Sequence, residues 1–240
     1  MDYQERTYRN LIQDKDLVSF QILEEESDLF IRSTQNLKFF AQQALSFFRR
    51  QIKDYIAKHP LFKEILFPYP IDKSAPEIIQ SMLTAASQCN VGPMAAVAGA
   101  IAEFMGRELL KYSEELIIEN GGDIFLKSNK IRKVSIFAGN SPLSQKIILE
   151  IDSKKDYIGI CTSSGTVEPS LSFGLADAVT VIAPSISLAD AAATVIGNKI
   201  KKKEDIKDGL IFAQSIGGLK GVVILIRNKI GMWGEINLSF

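Results

Sequence analysis

The sequence predicts an α+β fold: a single domain over residues 1–240, with antiparallel sheets and a central group of helices. Three observations predict it. Segments rich in alternating or β-branched residues occupy both ends of the chain. Helical stretches, with apolar residues three and four apart, are grouped between them. The breaks between the first strands are a few residues long, which makes a meander and hence antiparallel pairing.

The elements follow in order. Residues 5–12, 17–23 and 29–32 read as strands, broken by Asp14-Lys15-Asp16 and by the polar run at 24–28. From Ser33 the period changes: Leu37, Phe40, Ala44, Leu45, Phe48, Ile52, Tyr55 and Ile56 form a helical stripe. Ser33 or Thr34 can cap this helix, Pro60 stops it, and Lys38, Gln42, Arg49 and Lys53 make its wet face. Residues 61–74, with Pro68 and Pro70, read as a crossing loop. Pro76 suits the first turn of a second helix, carried by Ile79, Met82, Leu83 and Ala86. Asn90-Val91-Gly92 breaks it, and Pro93 opens a third helix that is almost without side-chain bulk. Gly99 in its middle costs roughly 1 kcal/mol against Ala, so a helix, a strand or a ligand must approach the backbone there. Strands are then expected at 116–119, 124–127, 134–138, 146–151, 157–161 and 178–182. A helix follows at 188–199, then a solvated linker at 201–205, then a closing hairpin over 222–227 and 233–238. The tetrapeptide LADA occurs at 175 and 188 but leads once into a strand and once into a helix, so it is no structural repeat.

Composition excludes several function classes. Twenty-eight basic and 28 acidic residues cancel, so no global field draws the chain to nucleic acid or an anionic membrane. The two cysteines, Cys89 and Cys161, do not make a secreted disulfide framework. The first residues lack an apolar signal core and the apolar run at 222–226 is too short to span a bilayer, so a soluble cytoplasmic protein is expected. His59 is the only histidine and is expected at the surface. That excludes Ser-His-Asp triads and multi-histidine metal sites, and leaves chemistry to carboxylates, hydroxyls, amines, backbone dipoles or a cofactor.

Three clusters could carry such chemistry. Thr162, Ser163, Ser164, Gly165 and Thr166 form a hydroxyl-rich run at a strand end, of the kind that turns backbone N–H groups toward a polar or anionic ligand. Asn120-Gly121-Gly122-Asp123 joins two strands; it is a hairpin turn, or a point of close approach where Glu119 and Asp123 gather two carboxylates. Asp190 and Thr194 lie one helical turn apart and offer a carboxylate and a hydroxyl to a hard cation such as Mg²⁺. Equally, Ser187 with Asp190 reads as a capping box and Thr194 as a core residue. Cys161 has no adjacent activating group and reads as a buried structural thiol. Asp177 is either a further carboxylate for the site or a strand-edge cap.

Taken together, the motifs resemble the ApbE-like superfamily, whose best-known members are FAD:protein FMN transferases, and more closely its short uncharacterised branch. The matching pieces are the run from Val91 through Gly92-Pro93-Met94 to Gly99-Ala100, then Glu119 to Asp123, Cys161 to Thr166 with Ser170 to Gly174, and Ala189-Asp190-Ala191 with Thr194. They cover most of residues 90–200, and the first 75 residues also look like the branch. The resemblance implies one ApbE-like domain, with Asp190 and Thr194 as Mg²⁺ ligands and with Asn120, Gly121, Gly122, Asp123 and Thr162 to Thr166 lining a flavin nucleotide cleft. The sequence departs from the transferases at two positions. Ala98 stands where they carry Lys, and only Glu168 and Pro169 follow the hydroxyl run where they carry His.

The expected protein therefore binds FAD, FMN or another phosphorylated small molecule with Mg²⁺. If it is an enzyme, it is a transferase or hydrolase acting on such a cofactor. The alternative is a non-catalytic binding or assembly module, with the Ala/Gly helix as a helix-packing or subunit surface. No nucleic acid or membrane partner is expected; a homo-oligomer is allowed.

Overall fold

Two sheets organise the chain, both wholly antiparallel. The computed structural model describes residues 16–166 and 174–239; the expected strand at 5–12, and Glu168, Pro169 and Ser170, lie outside the described residues. The first elements are β1 (Val18–Glu24), β2 (Ser27–Ser33), α1 (Lys38–Lys58), a one-turn α2 (Leu61–Glu64), α3 (Glu77–Cys89) and α4 (Val97–Leu109). Then come β3 (Leu116–Asn120), β4 (Asp123–Lys127), β5 (Arg132–Ser135), β6 (Ile148–Ile151), β7 (Ile158–Ser163) and β8 (Ala178–Ala183). The chain closes with α5 (Ile186–Lys199), α6 (Ile206–Gln214), β9 (Gly221–Ile226), β10 (Lys229–Gly234) and β11 (Leu238–Ser239). The large sheet has the order β1-β2-β3-β4-β7-β8-β9-β10, and the small one β11-β6-β5.

The large sheet is the middle of three layers. Alternate residues of its strands face opposite cores. Leu116, Ile118, Phe125, Cys161, Val179 and Val181 face the helices α1, α3, α4 and α5. Ile117, Leu126, Ile158, Ile160, Val223 and Leu225 face the small sheet, against Val134, Leu149 and Ile151. Burial on both faces explains why the strands read as nearly continuous apolar runs. The architecture is the α+β arrangement with central helices that the sequence predicts.

Several local expectations change. Leu37, not Ser33 or Thr34, is the N-cap of α1, because Ser33 is committed to β2 and its hydroxyl bonds to the Gln35 carbonyl. The Lys38 N–H is instead accepted by Asn36 Oδ1 at 3.0 Å. The final hairpin turns earlier than expected, at Arg227 and Asn228, with Arg227 at φ 53°. Helix α6 follows the linker at 201–205, in a stretch for which the sequence predicts no element. Its Gly209 masks the helical stripe, and a Cβ there would come within 2.6 Å of Ile200 Cδ1. His59 is half-buried and stacks on Tyr55, with ring centroids 4.4 Å apart.

The Ala/Gly helix is a helix-packing surface within the chain. Gly99, Ala100, Ala102 and Gly106 of α4 are buried within the chain. A Cβ on Gly99 would lie 2.6 Å from the Ile186 carbonyl oxygen and 2.7 Å from Asp190 Cβ, so the close approach predicted for Gly99 is made by α5.

Candidate functional site

Several of the residues that the sequence singles out meet where the β3–β4 turn, the end of β7 and the first turns of α4 and α5 come together. Asn120 and Asp123 pair across that turn, and Gly121 and Gly122 fill it at φ 69° and 106°. It is therefore a two-residue hairpin turn of the kind that demands positive φ at both positions. Glu119 is used to build it: its Oε1 accepts the Gly122 N–H at 3.1 Å. Asn120 Nδ2 donates to the Ala98 carbonyl at 3.0 Å, tying the turn to the start of α4.

Asp123 and Asp190 are brought together on the helix side of the sheet. Asp123 pairs with Cys161 in register, so both side chains point toward α5. Asp190 Oδ2 accepts the Gly99 N–H at 2.8 Å, inside the first turn of α4. Burial, and then the charge of Asp123, push the Asp190 carboxyl well above the carboxylate range, although the Gly99 and Ala98 N–H groups pull it down. The Cys161 thiol, fully buried and bonded to the Ile186 carbonyl at 3.5 Å, is pushed up by burial and then by the same two acids. Burial and Asp190 push Cys89 up to about 12. Neither thiol is poised as a nucleophile.

A residue that the sequence did not single out holds the other half of the helix pair. Glu103 of α4 is buried, and its Oε2 accepts four bonds from the start of α5. The donors are the Ile186 and Ser187 N–H groups at 2.9 and 3.0 Å, and the Ser185 and Ser187 hydroxyls, each at 3.1 Å. The N-cap of α5 is Ser185, so the Ser187–Asp190 capping box does not form: Ser187 donates to Glu103 and Asp190 reaches α4. Each helix thus sends an acid to the N-terminus of the other, where a negative charge is favoured. The available signal was an acid, Glu103, in the apolar middle of the helix, apart from its charged end at Arg107 and Glu108.

The hydroxyl run is divided rather than gathered. Thr162 and Ser163 continue β7, so their side chains alternate. The Thr162 hydroxyl meets that of Thr180 at 2.9 Å, on the face opposite Asp190. Ser163 faces the helices, with its Oγ at 3.6 Å from where a Cβ on Gly197 of α5 would stand. The turn itself begins at Ser164. The Gly165 N–H is bonded to the Ala176 carbonyl at 2.9 Å and the Thr166 N–H to Ser164 Oγ at 3.1 Å. Gly165 is required by packing, since a Cβ would stand 2.2 Å from the Gly174 carbonyl. Asp177 clasps this edge, accepting the Thr166 hydroxyl at 3.4 Å and the Arg227 N–H.

For a cation, the oxygens at hand are Asp190, Thr194 one turn along α5, Asp123 and the Ala98 carbonyl. Among the described residues no group of three or more His, Cys, Asp or Glu could hold a metal ion. The donor set is hard and small, which fits an ion that completes its shell from a ligand and water. A groove of about 480 Å³ between α3 and the start of α5, lined by Gln80, Ser81, Thr84 and Gln88, contains neither carboxylate. Among the described residues no helix is long and apolar enough to cross a membrane.

A UPF0280 protein of Methanococcus vannielii is 40% identical over 228 residues, covering 92% of this chain and 92% of that protein. A UPF0280 protein of Methanosarcina acetivorans is 37% identical over 198 residues, covering 82% of this chain and 78% of that one. Two solved structures share the fold at low identity. The flavin transferase ApbE from Vibrio cholerae has a TM-score of 0.58 and 11% identity over 93% of this chain and 97% of that one. The apo flavinyl transferase ApbE of Pseudomonas stutzeri has a TM-score of 0.59 and 12% identity over 90% and 94%. A family model described as AbpE bacteria matches residues 9–209, and the chain belongs to that ApbE-like family.

Proposed function

We propose that this protein binds a flavin nucleotide or another phosphorylated cofactor, together with Mg²⁺, beside Asp123 and Asp190, and that FMN transfer is not its reaction. The observation that carries the reading is the pair of acids on the helix side of the sheet. Burial, and after it Asp123, raises the Asp190 carboxyl, an arrangement that a divalent cation would relieve. Asp190 and Thr194 would hold the ion, and Asn120 to Asp123 with Ser163 to Thr166 would face the nucleotide. Bound there, Mg²⁺ would offset negative charge on a phosphoryl oxygen.

The likeness to proteins described as flavin transferases favours a flavin among phosphorylated ligands. The sequence argues against the transfer step, because Ala98 occupies the start of α4 and no histidine other than His59 exists to move a proton. Because the Gly165 and Thr166 N–H groups already have acceptors, side-chain hydroxyls rather than a backbone nest would meet the phosphates. If the protein turns its ligand over, the class is a transferase or hydrolase acting on a phosphorylated cofactor.

Titration calorimetry tests this with FAD, FMN and ATP, each with and without Mg²⁺, on the wild type and Asp190→Ala. The expected result is Mg²⁺-dependent binding of at least one nucleotide that Asp190→Ala abolishes. Absence of binding by the wild type to all three overturns it.

A further inference from the structure

We propose that the groove between α3 and the start of α5 is a second ligand site, taking a small aliphatic amine as its ammonium cation. It contains neither Asp123 nor Asp190, so it goes beyond the phosphorylated-ligand reading and stands without it.

The groove has a volume of about 480 Å³, within the range of small-molecule sites, and Gly217 and Gly218 of the loop after α6 form one wall. Gly217 has no reason within the fold to be glycine. Its φ is not positive, and a Cβ there would meet nothing within 4 Å. The missing side chain keeps the groove open.

Hydrogen bonds fix what the groove offers a ligand. Thr84 donates its hydroxyl proton to the Gln80 carbonyl at 2.8 Å. Ser185 donates its own to Glu103 Oε2 at 3.1 Å and accepts the Leu188 N–H at 3.3 Å, which leaves it one lone pair. Ser187 gives its proton to the same carboxylate at 3.1 Å, so the Ser81 hydroxyl must be the donor in its 2.8 Å bond to Ser187 Oγ. Gln80 commits both amide protons, to the Lys73 and Ala75 carbonyls at 3.1 and 2.7 Å. Carbonyls and carboxylates only accept, so none of these directions can be reversed. The three hydroxyls and the Gln80 amide are left to a ligand as acceptors alone.

Charge selects among donors. No charged side chain lines the groove, but Glu103 stands behind Ser185 and, through Ser187, behind Ser81. The start of α5 offsets roughly half of an elementary charge, which leaves this wall negative. A phosphate finds no hydroxyl proton there and faces that charge. An ammonium group brings three donors and a positive charge. Ala85 and Leu188 add apolar surface for a short methylene chain, and no aromatic side chain lines the groove to stack a flat ring.

Titration calorimetry on the full chain tests this with 1,4-diaminobutane and spermidine, which should bind with dissociation constants below about 1 mM. Butane-1,4-diol, which lacks the charge, and tetramethylammonium, which lacks N–H donors, should not bind. Exposed Gln88 reads the sign of the charge. Gln88→Glu should tighten amine binding about 5-fold and Gln88→Lys weaken it by about as much. Gly217→Phe fills the groove without meeting the fold, so it should abolish binding and leave the melting temperature unchanged. Absence of binding by both amines up to about 10 mM overturns the proposal. So does equal binding of the diol or of tetramethylammonium, a shift in the same direction for both Gln88 variants, or an amine affinity that survives Gly217→Phe.

Discussion

Two acids exchanged between two helices sit in opposite electrical settings. Glu103 leaves α4 for the start of α5 and is met there by four donors. Asp190 leaves α5 for the start of α4, is met by the Gly99 and Ala98 N–H groups, and is raised by burial and then by another acid, Asp123. Position and partner helix are symmetric; only the surroundings differ. A carboxylate with every neighbour a donor holds a fold together. A carboxylate facing a second one is held in place by the fold, at a cost that a ligand can relieve. The contrast places Glu103 in the architecture and supports the proposed reading of Asp190 as a site residue.

The largest effect should follow removal of the architectural acid. Glu103→Ala leaves the Ile186 and Ser187 N–H groups buried without an acceptor and removes the charge from the start of α5. Unpaired buried donors cost about 1–3 kcal/mol each, so a loss of about 3 kcal/mol or more is expected in urea unfolding. A loss under about 1 kcal/mol would show that α5 does not depend on this cap, and the contrast would fail at its stronger end.

Next is the crossing that makes the exchange possible. Gly99→Ala puts a methyl 2.6 Å from the Ile186 carbonyl oxygen and 2.7 Å from Asp190 Cβ. Both helices must separate, which should cost about 1–3 kcal/mol in the same assay despite the higher helix propensity of Ala. If Gly99→Ala is stabilising, the two helices are not held by this contact.

The sequence made the layers legible but not this exchange. Sequence patterns placed the strands of the large sheet apart from β10, and the helices α1, α3, α4 and α5, because their apolar residues are buried in the two cores. Asn120-Gly121-Gly122-Asp123 was readable as a turn because only glycine adopts its two positive φ angles freely. Asp190 was readable as a site candidate by its spacing from Thr194. What sequence could not show is which helix Asp190 would cap, since that depends on a contact 91 residues away in the chain. Glu103 was missed for the same reason: its donors are at least 82 residues distant. The run at 162–166 misled because hydroxyls adjacent in sequence fall on opposite faces of a strand. Helix α6 was missed because Gly209, which packing requires, interrupts its apolar stripe.

The site acid should behave in the reverse manner to Glu103. Asp190→Asn keeps an oxygen for the Gly99 N–H and removes the charge that faces Asp123. Without cation, thermal unfolding should show no loss, and a gain of up to about 1 kcal/mol. Mg²⁺ should then raise the melting temperature of the wild type but not of the variant. A loss above about 2 kcal/mol in the variant would make Asp190 a cap of the same kind as Glu103.

The smallest effect comes from a place where two acids already share a cation. Arg132 binds Asp16 through two nitrogens, both at 2.9 Å, and Glu115 at 2.8 Å. The Arg132 and Lys130 bonds hold the Asp16 carboxyl well below its ordinary 3.8. Burial would raise Glu115, but the Ser128 hydroxyl and Arg132 more than offset it, and its carboxyl is lowered too. This is what a positive charge does to a carboxylate pair, and it is the reverse of Asp190. The pH dependence reverses with it. A depressed carboxyl contributes stability above its unfolded value, and that contribution is lost as pH falls through the folded value. Asp16 is about a third exposed, so Asp16→Asn should cost only a few tenths of a kcal/mol at pH 7. Its difference from wild type should shrink as pH falls below roughly 4. The raised Asp190 runs the other way: what it withholds from stability at neutral pH is restored as it protonates, so Asp190→Asn should converge on wild type from above as the solution is acidified. Urea midpoints for both variants at pH 7 and at acid pH read the two signs side by side. Convergence from the same direction would mean that the Asp123–Asp190 pair already has a cation's equivalent in the fold, and that the cleft has no need of Mg²⁺.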